Sequence, residues 1–230
     1  MNGRSLVVLL AIHSSATLVG EGRAQGFLNL DFEAANVSGY SPGDGAVPLA
    51  NALPGWGAIY TSSINTDITS QVGYDAISLG GAVITIIDSI SGIPPISGDY
   101  SALLYGGGSN PLYSSTISQT GLVPAGTRSL LVDAKFSGAS FIVNVGGQAV
   151  RMVELQAFPT YNLYGGDISS LAGQTVALSF TEPPSTGVQP SSLLLDNILF
   201  SSQAIPEPGV SGLLALGVVA LGLTRARGGR

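Results

Sequence analysis

Over residues 26–33 apolar and polar side chains alternate, with Leu28, Leu30 and Phe32 on one side and Asn29, Asp31 and Glu33 on the other. A period of two is the mark of a half-buried strand, so Gly26 to Glu33 is predicted as one. Tyr40 to Pro54 is rich in glycine and proline and reads as loop. Trp56 to Tyr60, Ala82 to Ile87 and Ser101 to Tyr105 are predicted strands, the second almost wholly β-branched. Tyr113 to Gln119 alternates again. Ser129 to Phe136, Ser140 to Val145 and Gln148 to Leu155 follow closely, with Gly138 and Gly146-Gly147 at the turns. Thr175 to Thr181 and Ser192 to Phe200 complete the set. No helical period runs beyond two turns. Nine or ten short strands at this spacing predict an all-β fold, a β-sandwich.

The two ends of the 230-residue chain depart from this pattern. Residues 5–20 are largely apolar, follow Arg4, and lead to Gly22-Arg23-Ala24. That layout fits a secretory signal over residues 1–24, cut after Ala24, and also a buried helix opening a domain. At the other end Ile205-Pro206-Glu207-Pro208 precedes an uncharged stretch, 209–224, and the chain then ends in Arg225, Arg227 and Arg230. Sixteen helical residues span roughly 24 Å, near the ~30 Å hydrocarbon core of a bilayer. The arginines would hold their end on the cytoplasmic side. A core helix would need neither the basic tail nor the final position.

This three-part tail resembles the PEP-CTERM sorting signal of Gram-negative bacteria. Pro206-Glu207-Pro208, the span 209–224 and the terminal arginines match its parts in order. The resemblance implies an exported precursor that passes the Sec machinery, is held in the inner membrane, and is recognised by exosortase. It also implies delivery to the cell surface or extracellular matrix of a bacterium that makes exopolysaccharide. It names an address and no activity.

Between the ends, residues 25–204 form the predicted domain, and its composition excludes several chemistries. The single histidine, His13, lies inside the signal, and the chain has no cysteine. Histidine-assisted nucleophiles and zinc sites built on imidazole or thiolate are therefore impossible in this domain. Charged residues make up 10% of the chain, against about 25% in a typical globular protein. The domain carries three positive residues (Arg128, Lys135, Arg151) and twelve acids, a net charge of −9. Nucleic acid is excluded as a partner, since phosphate binding needs clustered Lys and Arg.

Two segments resemble the first and last strands of the galactose-binding-like jelly roll shared by many carbohydrate-binding modules: Leu28-Asn29-Leu30-Asp31-Phe32-Glu33 and Leu195-Asp196-Asn197-Ile198-Leu199-Phe200. Ile117-Ser118-Gln119-Thr120, Pro124-Ala125-Gly126-Thr127 and Leu171-Ala172-Gly173-Gln174-Thr175-Val176 fit its middle and its late strand. The resemblance implies adjacent terminal strands with a structural Ca²⁺ at their ends, held by Glu33 and Asp196. Asp31, two residues from Glu33, is a third candidate ligand. Calcium takes six to eight oxygens and needs no imidazole. The other reading of these acids is solvated or capping carboxylates.

Sugar recognition stacks the apolar C–H face of a pyranose on a flat aromatic ring and hydrogen-bonds its rim. Trp56, the only tryptophan, sits between Gly55 and Gly57, and a core position competes with a binding role for it. Tyr60, Tyr100, Tyr105, Tyr113, Tyr161 and Tyr164 lie near strand ends, and Trp56, Tyr60 and Tyr105 are the candidate ligand residues. The run Tyr105-Gly106-Gly107-Gly108-Ser109-Asn110 either lets backbone approach a ligand or is a plain turn. It lacks the lysine and following helix of a phosphate loop. The chemistry left to an enzyme is a carboxylate pair, with Asp31 and Glu33 the nearest pair in sequence.

The sequence thus predicts an exported, surface-sorted, non-enzymatic β-sandwich that binds carbohydrate or exopolysaccharide. The alternatives are a structural matrix or adhesion protein without a soluble ligand, and a small carboxylate-dependent glycosidase. Net −9 favours neutral over acidic polysaccharide unless calcium bridges the two.

Overall fold

In a computed structural model, residues 26–62, 66–77, 83–90, 92–107, 113–138, 140–184 and 191–205 are described. The signal 1–24, Pro206-Glu207-Pro208, the span 209–224 and the tail with Arg225, Arg227 and Arg230 lie outside them. Among the described residues, no helix is long and apolar enough to cross a membrane.

The described residues form fourteen strands: β1 (Asp44–Pro48), β2 (Gly57–Ser62), β3 (Thr66–Thr69), β4 (Gln71–Tyr74), β5 (Ile84–Ile87), β6 (Ser101–Gly106), β7 (Tyr113–Leu122), β8 (Ser129–Ser137), β9 (Ile142–Val145), β10 (Gln148–Val150), β11 (Val153–Ala157), β12 (Asn162–Asp167), β13 (Thr175–Glu182) and β14 (Ser191–Ser201). One α-turn, α1 (Leu49–Ala52), and a 3₁₀ turn at Ser169–Leu171 are the described helical pieces. The larger sheet has the order β1-β4-β5-β6-β14-β8-β12-β11, the smaller β10-β9-β13-β7-β2-β3. Among the described strands, β4 and β5 pair parallel and the other pairs are antiparallel. The architecture is an all-β sandwich, as the periodicity predicts.

Period-two burial explains the layering. On β7, Ser115, Ile117 and Gln119 are buried and their neighbours less so; on β13, Leu178, Phe180 and Glu182 are. These residues face β8 (Leu130, Val132, Ala134) and β14 (Leu193, Leu195) in one apolar core. β14 is flanked on both sides, by β6 and β8, and its outward Leu194 joins Ile87, Leu103 and Tyr105 in a second cluster on the outer face.

The opening segment departs from the predicted strand. Residues 26–33 form turns, because Asn29 and Phe32 take left-handed φ angles of 51° and 58°. Asn29 tolerates that conformation and braces it, its side chain donating to Pro54 O and accepting from Ala34 N. The turns bury Phe27 and Phe32 together and leave Leu28 63% exposed, so the apparent alternation does not mark one face. The segment still lies beside the end of β14, through Ile198 N–H to Leu30 O at 2.9 Å and a Phe27–Phe200 ring stack at 5.0 Å.

Three other boundaries differ. Tyr40 to Pro54 holds β1 and α1 within the predicted loop. Gln148 to Leu155 splits at Arg151-Met152 into β10 of the small sheet and β11 at the edge of the large one. Ser101 to Gly106 is strand, which takes in the start of the glycine run, and residues 108–110 lie outside the described set.

Phe32→Ala is expected to cost about 3–5 kcal/mol, the range for deleting a large buried ring. Leu28→Ala is expected to cost under about 0.5 kcal/mol, as for an exposed position. Urea unfolding of the two variants checks this, and comparable losses would restore the alternating strand.

Candidate functional site

Each candidate from the sequence has a definite place. The Trp56 indole is 4% exposed, stacks on Phe32 (centroids 5.7 Å) and packs against Phe180. Its N–H donates to Asn29 O at 2.9 Å. It is a core ring. Tyr60 on β2 pairs across the ladder with Asp67 on β3, and the hydrogen bond to that carboxylate pushes its pKa up. Tyr105 is buried in the outer cluster and donates to Ile77 O at 3.1 Å. These three residues are not brought together.

Glu33 and Asp196 are brought to one segment, residues 96–101. Glu33 accepts from Asp99 N–H through both oxygens (3.0 and 3.1 Å) and from Tyr100 N–H through Oε1 (3.0 Å). Asp196 accepts from Ser97 N–H (3.1 Å) and Ser101 O–H (2.6 Å) through Oδ2, and from Asn197 N–H (2.7 Å) through Oδ1. Gly98, at φ +58°, lets the chain wrap closely, since a Cβ there would lie 2.2 Å from Glu33 Oε1. The donors that meet these acids are therefore N–H and O–H groups, and an N–H cannot ligate a cation. As arranged, Glu33 and Asp196 fit two carboxylates compensated by amides and do not fit a shared calcium ion. Asp31 turns elsewhere: it accepts from Glu33 N–H and lines a groove on the outer face. Asp31 and Glu33 thus do not flank one cleft as a hydrolytic pair.

Asp196 is fully buried, and burial pushes its carboxyl up to about 7. Its hydrogen bonds from Ser101, Asn197 and Ser97 oppose that shift, and the Glu33 charge adds to it. Across the ladder Asp133 is also raised by burial, opposed by the Asn197 amide at 3.0 Å.

Two grooves remain. The larger, about 680 Å³, runs over the outer face between the opening segment, β8, β12 and β14. Asn29, Asp31, Asp133 and Asn197 supply its polar groups and Leu131, Leu163 and Leu199 its apolar ones. It has no exposed aromatic ring, because Phe27 and Phe200 are turned into the core. The smaller groove, about 400 Å³, lies at the β11–β12 turn. This is within the roughly 300–1,000 Å³ of ligand pockets.

The smaller groove is built by a four-residue connection, Phe158-Pro159-Thr160-Tyr161, closed by Phe158 N–H to Tyr161 O at 2.9 Å. The closure stacks the Phe158 and Tyr161 rings at 4.7 Å and 21°. A bulge between Glu154 and Gln156 distorts the edge strand β11. Bulges of this kind re-aim side chains at sheet rims. Asn162 donates to Glu154 Oε2 (3.0 Å) and to the Tyr164 hydroxyl (3.2 Å). Behind them Phe136, Phe141 and Tyr164 interlock at 5.3–5.8 Å, and Lys135 and Thr160 border the opening. A paired aromatic wall beside a carboxylate–amide pair suits a polar ring with one apolar face. Phe158 had no signal in the sequence reading, and Tyr161 stood there only among scattered tyrosines. The readable cue was a proline turn with an aromatic on each side.

Fold and groove together define a β-sandwich with an aromatic-walled groove at one edge. No protein family and no curated protein matches the chain. Among solved structures, TmCBM61 in complex with β-1,4-galactotriose is similar at TM-score 0.44 and 13% identity, covering 78% of this chain and all of that one. The enzymatically active domain of tailspike protein 4 from bacteriophage CBA120 is similar at TM-score 0.38 and 11% identity, covering 75% of this chain and 21% of that one. At these scores neither likeness places a residue.

An acid whose folded pKa lies above its unfolded value of 3.8 stabilises the fold below that value and loses this contribution as pH rises through about 7. Stability is therefore expected to fall between about pH 4 and pH 7. Asp196→Asn is expected to flatten that slope, as read from urea midpoints across the range. An unchanged slope would contradict the burial of a titrating Asp196.

Proposed function

We propose that this protein is a non-enzymatic carbohydrate-binding sandwich, and that the groove at Phe158–Tyr161 holds the sugar. The observation that carries the reading is the stacked Phe158–Tyr161 pair set against Glu154 and Asn162. Both amide hydrogens of Asn162 are already engaged, which leaves its carbonyl and the second Glu154 oxygen to accept sugar hydroxyls. Lys135 and Thr160 supply donors at the rim. The domain's net charge of −9 favours a neutral glycan over a polyuronate.

The address belongs to the same proposal and rests on the sequence resemblance alone. The chain is exported by the Sec machinery, held in the inner membrane by 209–224, and recognised by exosortase at Pro206-Glu207-Pro208 with its basic tail. It works at the cell surface or in the matrix. The mass of surface-released protein is expected to correspond to a chain lacking both ends; a released chain retaining Arg230 would contradict cleavage of the tail.

Titration of the full-length protein with a panel of neutral and acidic oligosaccharides, β-1,4-galactotriose among them, tests the activity. Saturable binding to a neutral glycan is expected. Tyr161→Ala is expected to weaken it about tenfold, as the loss of one stacking face, about 1.4 kcal/mol, requires. Tyr161→Phe should bind nearly as well, and Trp56→Phe should leave affinity unchanged. No binding by folded protein leaves the structural matrix reading in place.

A further inference from the structure

Among the described residues, Glu182 is a buried acid with an oxygen that the protein itself leaves without a hydrogen-bond partner. It is the last residue of β13, faces inward in register with Leu178 and Phe180, and is 1% exposed. Its Oε2 has no hydrogen-bond partner, and the single side chain bonded to the carboxyl is the Ser191 hydroxyl. Neither an N–H group nor a cationic side chain among the described residues compensates it. Burial accordingly pushes this carboxyl up to about 7. Asp196 and Glu33 are met by N–H donors; Glu182 is met by oxygen.

The neighbouring polar atoms are oxygens. Ser191 is buried on β14 opposite Gly106 of β6, and its hydroxyl donates to Gly106 O (3.2 Å) and to Pro183 O (3.1 Å). A Cβ on Gly106 would lie 2.0 Å from Pro183 O and 2.8 Å from Ser191 Oγ, so only glycine leaves that space open. Gly138 gives the same clearance on the other side, where a Cβ would stand 3.0 Å from Ser191 Cβ and 3.6 Å from Glu182 Oε1. Ser115, Glu182's ladder partner, is occupied elsewhere, donating to Tyr105 O.

We propose that Glu182, Ser191 and the backbone carbonyls of Gly106 and Pro183 form a binding site for a hard divalent cation, of which calcium is the probe. Calcium binds carboxylate, hydroxyl and carbonyl oxygens at about 2.3–2.6 Å, and ligands at that radius roughly 80° apart are about 3.1 Å from one another. The Ser191 hydroxyl now donates to both carbonyls, and a cation bound among these oxygens would take the place of those hydrogen bonds. A cation would give Glu182 Oε2 its missing partner and tie β13, β14 and β6 together where they converge. The calcium that the sequence resemblance implies is thereby assigned to a different acid.

Calcium titration of the EDTA-treated full-length protein, by calorimetry and by thermal unfolding, tests the site. One saturable calcium and an unfolding temperature that rises with calcium concentration are expected. Glu182→Gln, close to isosteric, should lose the response by about a hundredfold in affinity, and Ser191→Ala by about tenfold, while Glu33→Gln should keep it. Absence of calcium binding by the parent protein would overturn the proposal, since a protonated Glu182 then suffices. A response kept in Glu182→Gln, or lost only in Glu33→Gln or Asp196→Asn, would overturn it as well. If Glu182→Gln fails to fold, Ser191→Ala and the parent titration decide.

Discussion

A carboxylate removed from water must be given donors, and Asp196 imposes that requirement on the middle strand of the larger sheet. Its solution recruits the chain around it. Segment 96–101 folds over the outer face so that Ser97 and Ser101 reach the carboxylate, and Glu33 takes the next two amides of the same segment. One residue on, Asn197 adopts a left-handed φ of 45° within a bulge against β8. The bulge frees Ile198 N–H, which pairs with Leu30 and fixes the opening segment. That segment in turn places Asn29 O for the Trp56 indole and Phe32 against its ring. The connection between the two ends of the domain is thus a chain of hydrogen bonds starting at one buried acid.

Strands with a strong period were legible in the sequence: Ile84–Ile87, Tyr113–Leu122, Thr175–Glu182 and Ser191–Ser201 stand close to where the pattern puts them. The misread elements share a physical cause. β12 is hidden because Gly165 and Gly166 carry no side chain to show a period; they are glycines because Leu155, Leu131 and Ile205 crowd one side and Val150 and Met152 the other. β1 and α1 are masked by glycine and proline in Tyr40 to Pro54, while β3 and β4 are short. At 26–33 the alternation is real in sequence but is undone by two left-handed residues, which no period reveals.

The candidate site suffered from the same gap. Without a period to mark β12, the sequence does not show the turn that Tyr161 and Asn162 share with Phe158, and Trp56, the residue its pattern favours, is absorbed by the core. Glu33 and Asp196, the calcium ligands that the resemblance implies, both accept hydrogen bonds from segment 96–101. Glu182 is silent in the sequence, where an isolated acid at a strand end looks solvated, yet it is buried. Glu33 and Asp196 are thus answered mainly by backbone N–H donors, whereas Glu182 is answered by the Ser191 hydroxyl and keeps an oxygen without a hydrogen-bond partner.

We place a neutral sugar on the Phe158–Tyr161 wall as a proposal. Amide chemical-shift mapping of the full-length protein during titration with a bound oligosaccharide tests it most directly. The account requires the largest shifts at Glu154, Phe158 to Asn162 and Tyr164. Shifts centred instead on Asp31, Asp133, Leu163 and Asn197 in the outer-face groove would contradict it.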